Sequence, residues 1–209
     1  MAFSITDFKT NLKQGGARPS LFNVEFQYPS NISTTHLTPN QAKFLVKATT
    51  IPASTIGSYD VYYHGKAIKV AGDRTYDTWD TTIFNDEDFG IRKVLEEWMA
   101  AISNHSLNTR NKEIFSDMSE GDVAKYKKDL KVKQLGKRGQ ELRTYEFIGA
   151  WPSALSTINL DWATATEIEE FTCTWVYDSW TIGNISGSYM SGNQSLFRDE
   201  DFLSDDESG

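Results

Sequence analysis

The sequence predicts a mainly β fold: an antiparallel sandwich or barrel with one packed α-helix at about residues 89–103 and long loops. Three observations carry this expectation. Several short runs alternate apolar and polar residues with period two, the mark of half-buried strands. Aromatic residues, which suit a pleated surface, make up 13% of the chain (12 Phe, 9 Tyr, 6 Trp). One stretch alone has helical spacing, with Ile91, Leu95, Trp98, Met99 and Ile102 three and four residues apart.

In Phe22–Tyr28 every even residue is apolar and every odd one polar, and Pro29 ends the run. Residues 29–41 are polar, with two prolines, and read as a loop. Strand character resumes from Lys43 to Thr49, and Pro52 marks a boundary. Tyr59–Tyr63 and Lys66–Ala71 read as a hairpin turning at His64-Gly65. Thr75–Phe84 is a further β-branched and aromatic run. Asn85, Asp86, Glu87 and Asp88 precede the helix, where acids satisfy free N–H groups and complement the dipole. Its apolar stripe, Ile91, Leu95, Trp98 and Ile102, is expected to pack on the outside of the sheet. Residues 104–121 are polar and read as a long loop.

From Ala124 to Leu135 the alternation returns. Ala124, Tyr126, Leu130 and Val132 share one face, interrupted by Lys128. Lys125, Lys127, Asp129, Lys131 and Lys133 share the other. Residues 136–139 (Gly-Lys-Arg-Gly) form a turn, and Leu142–Ile148 the returning strand. Phe171, Cys173, Trp175 and Tyr177 make a last apolar face. From residue 183 onward Gly, Ser, Asn and acids take over. The expected organisation is a β-domain over 1–182 and an extension over 183–209, acidic from 198, weakly ordered or ordered by contact with a partner.

The chain has 209 residues, the usual size of one domain with a sizeable core. No run approaches the roughly 18 apolar residues of a membrane span. The first sixteen residues lack the charged start and apolar core of a signal peptide. One cysteine excludes an internal disulfide and a cysteine-based zinc site, so the expectation is a soluble chain of a reducing compartment without a membrane anchor. The net charge is −8, and residues 198–209, with six acids and one Arg, supply −5 of it. Such a balance does not attract nucleic acid by phosphate neutralisation, which needs clustered Lys and Arg.

No group of residues carries a catalytic or metal-binding pattern. His36, His64 and His105 stand at unrelated spacings. Asp86-Glu87-Asp88 lacks the alternating ligands and glycine of a calcium loop, and helix capping accounts for it. Gly136-Lys137 resembles the end of a phosphate loop, but the position five residues earlier is Lys131. Cys173 alternates with Phe171 and Trp175, as a small core residue does. The lysine face at 125–133 suits an edge guarded against aggregation, or a surface for an acidic neighbour, better than a nucleic-acid site. No cofactor, metal or catalytic residue is expected.

One stretch resembles a known family. Ile51-Pro52-Ala53-Ser54-Thr55-Ile56-Gly57 leads to Tyr63-His64-Gly65-Lys66-Ala67, then Gly72-Asp73-Arg74-Thr75. Trp79 to Phe84 follows, with Asn85-Asp86-Glu87-Asp88 and Glu97-Trp98-Met99 in the helix region. Phe147-Ile148-Gly149-Ala150-Trp151-Pro152 and Ile168–Trp175 continue the pattern, so that it covers roughly 44–180. The whole is similar to the tail tube proteins of contractile-tailed, T-even-like bacteriophages. That resemblance implies a structural, non-enzymatic subunit forming rings of six, which stack into a hollow tube inside a contractile sheath. It implies as partners further copies of the chain, the sheath, a tape measure protein in the lumen, and baseplate and terminator proteins. DNA would pass through the lumen without specific binding. The expected location is the virion tail, with assembly in the host cytoplasm. Candidate subunit-interface residues are Pro52, Ser54, Thr55, Ile56, Gly57, His64, Gly65, Lys66, Asp73 and Arg74.

Two other readings compete: a baseplate tube initiator, tail-completion adaptor or injection-system tube protein of the same fold, and a β-domain hydrolase. Copy number per virion separates the first, and a silent activity screen disposes of the second. The acidic tail is too charged to fold alone; it reads as a solvated tail or, more sharply, as acids that meet the lysine face of the same or an adjacent subunit. Truncation after Phe197 is therefore expected to leave the thermal melting temperature nearly unchanged; a large fall would place the tail within the folded domain.

Overall fold

The computed structural model describes residues 5–12, 16–30, 32–35, 37, 41–104, 125–163 and 166–183, with backbone only at residue 7. His36, His105, almost all of the 104–121 loop and the chain from 184 onward lie outside these residues. In chain order the elements are α1 (Ile5–Asn11), β1 (Phe22–Glu25), α2 (Gln41–Leu45), β2 (Val46–Thr49), β3 (Thr55–Tyr63) and β4 (Lys66–Thr75). Then follow β5 (Trp79–Phe84), α3 (Gly90–Ile102), β6 (Lys128–Leu135), β7 (Glu141–Leu155), β8 (Glu170–Val176) and β9 (Ser179–Gly183). All strand pairs are antiparallel. The fold is thus mainly antiparallel β, as the alternation predicts.

The main sheet runs β1-β6-β7-β8-β5-β2, with β9 also on β7. Strand β7 belongs to both halves. Its residues 144–148 pair with β9 and its first ten with β6, whereas residues 151–155 pair with β8. The bend between the halves lies at Gly149, in the left-handed region at φ 66°. A methyl group there would collide with the Asp178 carboxylate, so only glycine allows both the bend and the approach. Asp129 Oδ1 accepts the Gly149 N–H at 3.0 Å, and Asp178 holds Lys127 at 2.7 Å. Pro152 is tolerated because β6 stops pairing at Ala150, which leaves that edge of β7 free of ladder bonds.

The core lies where the halves face each other. Trp79 of β5 stacks on Phe147 of β7, ring centroids 4.2 Å apart. Trp175 of β8 meets Trp98 of α3 at 5.7 Å and Phe26 at 5.1 Å. Every buried indole N–H has an acceptor. Trp79 donates to Thr50 O at 2.9 Å, Trp98 to Tyr126 O at 2.8 Å, and Trp175 to Thr81 Oγ1 at 2.9 Å. On α3, Ile91, Val94, Leu95 and Trp98 are buried, and Ile102 is half-buried. The helix runs beside β7 and turns this stripe into the core, where Trp98 meets Trp175 of β8. Its N-cap is Phe89 in a left-handed conformation, with no side-chain cap. The carboxylate of Asp86 compensates by accepting the Gly90 N–H at 2.9 Å.

Several boundaries differ from the sequence expectation. The first strand ends at Glu25, not Tyr28, because Phe26 and Tyr28 turn into the core beside Trp175 and Trp98. The first part of 43–49 is helical: Gln41 hydrogen-bonds Asp86, and Ala42 is buried. A short apolar run does not distinguish helix from strand. The 75–84 run splits at 76–78, where the chain leaves β4 for the core and Tyr76 packs on Tyr177. Residues 125–126 turn before β6 begins at Lys128. The strand expected at 142–148 continues to Leu155, and Gly183, the expected start of the extension, is the last residue of β9, paired with Thr144.

The lysine face of β6 is neutralised inside the chain. Lys131 pairs with Glu146 at 2.7 Å, and Lys133 with Glu141 at 3.0 Å and Glu25 at 3.1 Å; Lys43 adds a second contact to Glu25 at 3.3 Å. Cross-strand register dictates this, since Lys131 stands between Glu25 of β1 and Glu146 of β7. The C-terminal acids expected to meet this face lie outside the described residues. Burial raises the Glu25 pKa, but hydrogen bonds from Lys133 and Lys43 outweigh it and hold the carboxyl below its ordinary 4.5.

Two outcomes follow. Trp98→Ala is expected to cost about 3–5 kcal/mol in denaturant titration, through a cavity and an orphaned carbonyl at Tyr126. A folded-state pKa below the unfolded one means that the Glu25 contribution is present above pH 4.5 and is lost as pH falls through the lowered value. Glu25→Gln should therefore flatten the decline of the melting temperature on the acid side below about pH 5, which a series of thermal melts reads directly.

Candidate functional site

Strands β3 and β4 form a separate two-stranded sheet that leaves the main body. The local sequence explains its shape. His64 (φ 47°) and Gly65 (φ 77°) are the two central residues of the tip, both left-handed, as a type I′ hairpin turn requires. The His64 ring meets Tyr63 edge-on at 4.3 Å, and Lys66 opens β4 opposite Tyr63. Near the base Ile56 pairs with Arg74 and Ser58 with Ala71, so Gly57 faces two residues, Gly72 and Asp73. That bulge increases the local twist and aims the distal half of the hairpin. Arg74 donates to Ser54 Oγ at 3.1 Å, and Trp180 of β9 donates to Ala53 O at 3.3 Å, which ties the base to the main body.

The register sorts the side chains. Tyr59 stands opposite Val70, Val61 opposite Ile68 and Tyr63 opposite Lys66, so five of these six residues make one apolar face. Asp60 stands opposite Lys69, with an ion pair of 3.0 Å, and lies on the other face with Tyr62 and Ala67. Every β3 residue is exposed, and in β4 all but Gly72 are. Tyr63 is 67% and Tyr59 55% exposed. An isolated two-stranded hairpin is marginal in water, and an exposed apolar face this long marks an interaction surface.

The ten candidate interface residues fall into three places. Pro52 and Ser54 are half-buried at the base, and Thr55 and Ile56 are in β3 instead of a loop. Gly57, Asp73 and Arg74 make the bulge and its brace. His64, Gly65 and Lys66 form the tip, some seven strand residues away. The fold brings Ser54 to Arg74 and keeps the tip apart from both. Tyr59, Val61, Tyr63, Ile68 and Val70, the apolar face itself, escaped the sequence reading. The signal was present: a two-residue turn at His64-Gly65 pairs positions summing to 129, which puts these five on one side.

Other candidate chemistry has ordinary structural roles. Asp86 binds Gln41 and the Gly90 N–H, and Lys137 sits in the β6–β7 turn, where Gly136 donates to Gln140 O at 2.8 Å. Burial pushes the Cys173 thiol far above its ordinary range, and the nearby Asp80 adds to it. Among the described residues no three His, Cys, Asp or Glu side chains gather as a metal site would need, and no helix is long and apolar enough to cross a membrane.

Comparison with known proteins gives a consistent placement. The profile of the phage tail tube protein family matches residues 17–183. The tail tube protein gp19 of Enterobacteria phage T4 is 31% identical over 165 residues, 78% of this chain and 90% of that protein. The tail tube protein of Serratia phage KSP90 is 22% identical over 172 residues, covering 81% and 92% of the two chains. Among solved structures, the tube-terminating cap of the anti-feeding prophage superposes with a TM-score of 0.55 at 17% identity, over 79% of this chain and 89% of that one. A chain of the sheath–tube complex of an extracellular contractile injection system, PVC, gives 0.52 at 14% identity, over 87% and 98%. These structures share the fold. With a profile match across 167 of its 209 residues and a T4 relative at 31% identity, the chain belongs to the phage tail tube protein family.

Proposed function

We propose that this chain is the building block of a phage tail tube: six copies close into a ring, and rings stack head to tail inside a contractile sheath. The tail tube role and the place in the virion tail follow from the family. Ring size, stacking and the neighbouring proteins are the proposal. The observation that carries it is the β3–β4 hairpin, an apolar-faced arm that, among the described residues, is tied down at its base. A monomer that exposes such a face gains by covering it with a neighbour. The sheet edges support the same reading. Among the described residues, β1, β2, β9 and the end of β7 each present an edge without a ladder partner, and a closed ring removes such edges.

The working parts of this function are contacts, with no reaction to catalyse. Passage of DNA needs a wall that does not hold phosphate. The net charge of −8 and a lysine face already paired with carboxylates both reduce adhesion to a polyanion. In this reading the sheath covers the outer wall, a tape measure protein fills the lumen before DNA, and baseplate and terminator proteins close the ends. The tube domain, in this reading, runs through Gly183, the last residue of β9, and residues 184–209 are an extension beyond it. The expected seat of assembly is the host cytoplasm.

Electron microscopy of the purified protein tests the proposal: rings or tubes with a central channel are expected, and a stable monomer at high concentration under all conditions would overturn it. Replacing residues 61–68 by Asn-Gly keeps the Asp60–Lys69 pair beside a two-residue turn. That variant should melt within about 2 °C of the parent, since it removes no buried contact, yet fail to polymerise. Unfolding on this change would place the hairpin in the core.

A further inference from the structure

We infer that the acceptor for the apolar face of the hairpin is a second copy of this chain, engaged through the β7–β8 loop around Leu160 and Trp162. The inference rests on the tube-subunit reading and names the partner surface that reading leaves open. Three observations converge on this loop.

First, it presents large apolar side chains to solvent. Trp162 is 103% exposed, Leu160 81% and Ile168 67%. A fully exposed Trp beside an exposed Leu is the kind of anchor that fills a partner's surface, and the hairpin offers Tyr59, Val61 and Tyr63 on one side. Second, the charges are complementary. Residues 156–169 hold Asp161, Glu167 and Glu169 and no Lys or Arg, whereas the hairpin tip offers Lys66, Lys69 being already paired with Asp60. Third, the two surfaces leave opposite ends of the same strand pair. The hairpin ends at Thr75, just before Trp79, which pairs with Trp175; at the other end of β5, Phe84 pairs with Glu170, where the loop arrives. The Asn85 N–H donates to Glu169 O at 2.8 Å and fastens the loop there. Six strand residues, about 17–20 Å, separate the two attachment points. Unlike patches attached at opposite ends of one strand pair suit a head-to-tail contact, which repeats along a stack, whereas a two-fold pairing of the same patches stops at a dimer.

Cysteine pairs test this in assembled protein. Cys173 is buried and stays silent, so Val61→Cys together with Trp162→Cys supplies the reactive thiols. Disulfides need Cα atoms within about 7 Å, and a bond closed inside one chain would leave the double variant a monomer on the gel and overturn the inference. Oxidised tubes of the double variant should give a ladder of crosslinked multimers on denaturing gels, and each single variant only monomers. In a second arm, Lys66→Glu should raise the protein concentration needed for tube growth about tenfold, and adding Glu167→Lys should restore it. Wild-type tubes whose double variant gives no ladder, dimers from Val61→Cys alone, or no restoration by Glu167→Lys would each overturn this inference while leaving the tube reading intact. A wild-type chain that never assembles would remove both.

Discussion

The structure depends on satisfying three indole N–H groups in a dry interior. Trp79, Trp98 and Trp175 are essentially inaccessible, and each N–H left without an acceptor would be costly. Their acceptors come from different places: the segment before the hairpin, the turn before β6, and the neighbouring strand β5. The hydrogen bonds therefore set more than the rings. Placing Trp79 positions the base of the hairpin, and placing Trp98 positions α3 against β8 and the entry to β6. Ring contacts among Phe26, Phe147, Trp79 and Trp175 then fill the space between the two halves of the sheet.

The hairpin is built on the opposite principle. Its stability comes from backbone pairing, a favourable turn and a bracing Arg74–Ser54 bond, without burial of its own. That leaves an apolar face in water, the cost of which is recovered only when another surface covers it. Separation of the tasks is useful to a polymer-forming protein: the core holds the subunit together, and the arm can be optimised for contact without disturbing the core.

Charge is handled locally as well. In the strongly basic strand β6, Lys131 and Lys133 are matched by Glu25, Glu141 and Glu146 on flanking strands, so that face is a cross-strand ion-pair ladder and not a cationic stripe. Exposed pairs of this kind add little stability singly. Their larger effect is on what the surface attracts, since a compensated face neither gathers phosphate nor repels a neighbouring subunit of like charge.

The sequence by itself determined the class of fold, the family, the His64-Gly65 turn and the inward faces of β6 and β8, because period-two alternation and turn chemistry are local properties of the backbone. Leu130 with Val132, and Phe171 with Cys173 and Trp175, are buried where that alternation puts them. Where local patterns were silent, tertiary contacts decided. Helix α2 replaces the start of a strand because Asp86, far along the chain, holds Gln41. Strand β7 continues through Pro152 because the strand that would have needed its N–H has already ended. The β3–β4 arm was visible as a hairpin, but its exposed apolar face was not, since exposure depends on what fails to pack against it. Alternation says which residues share a side; only the assembled fold says which side has a partner.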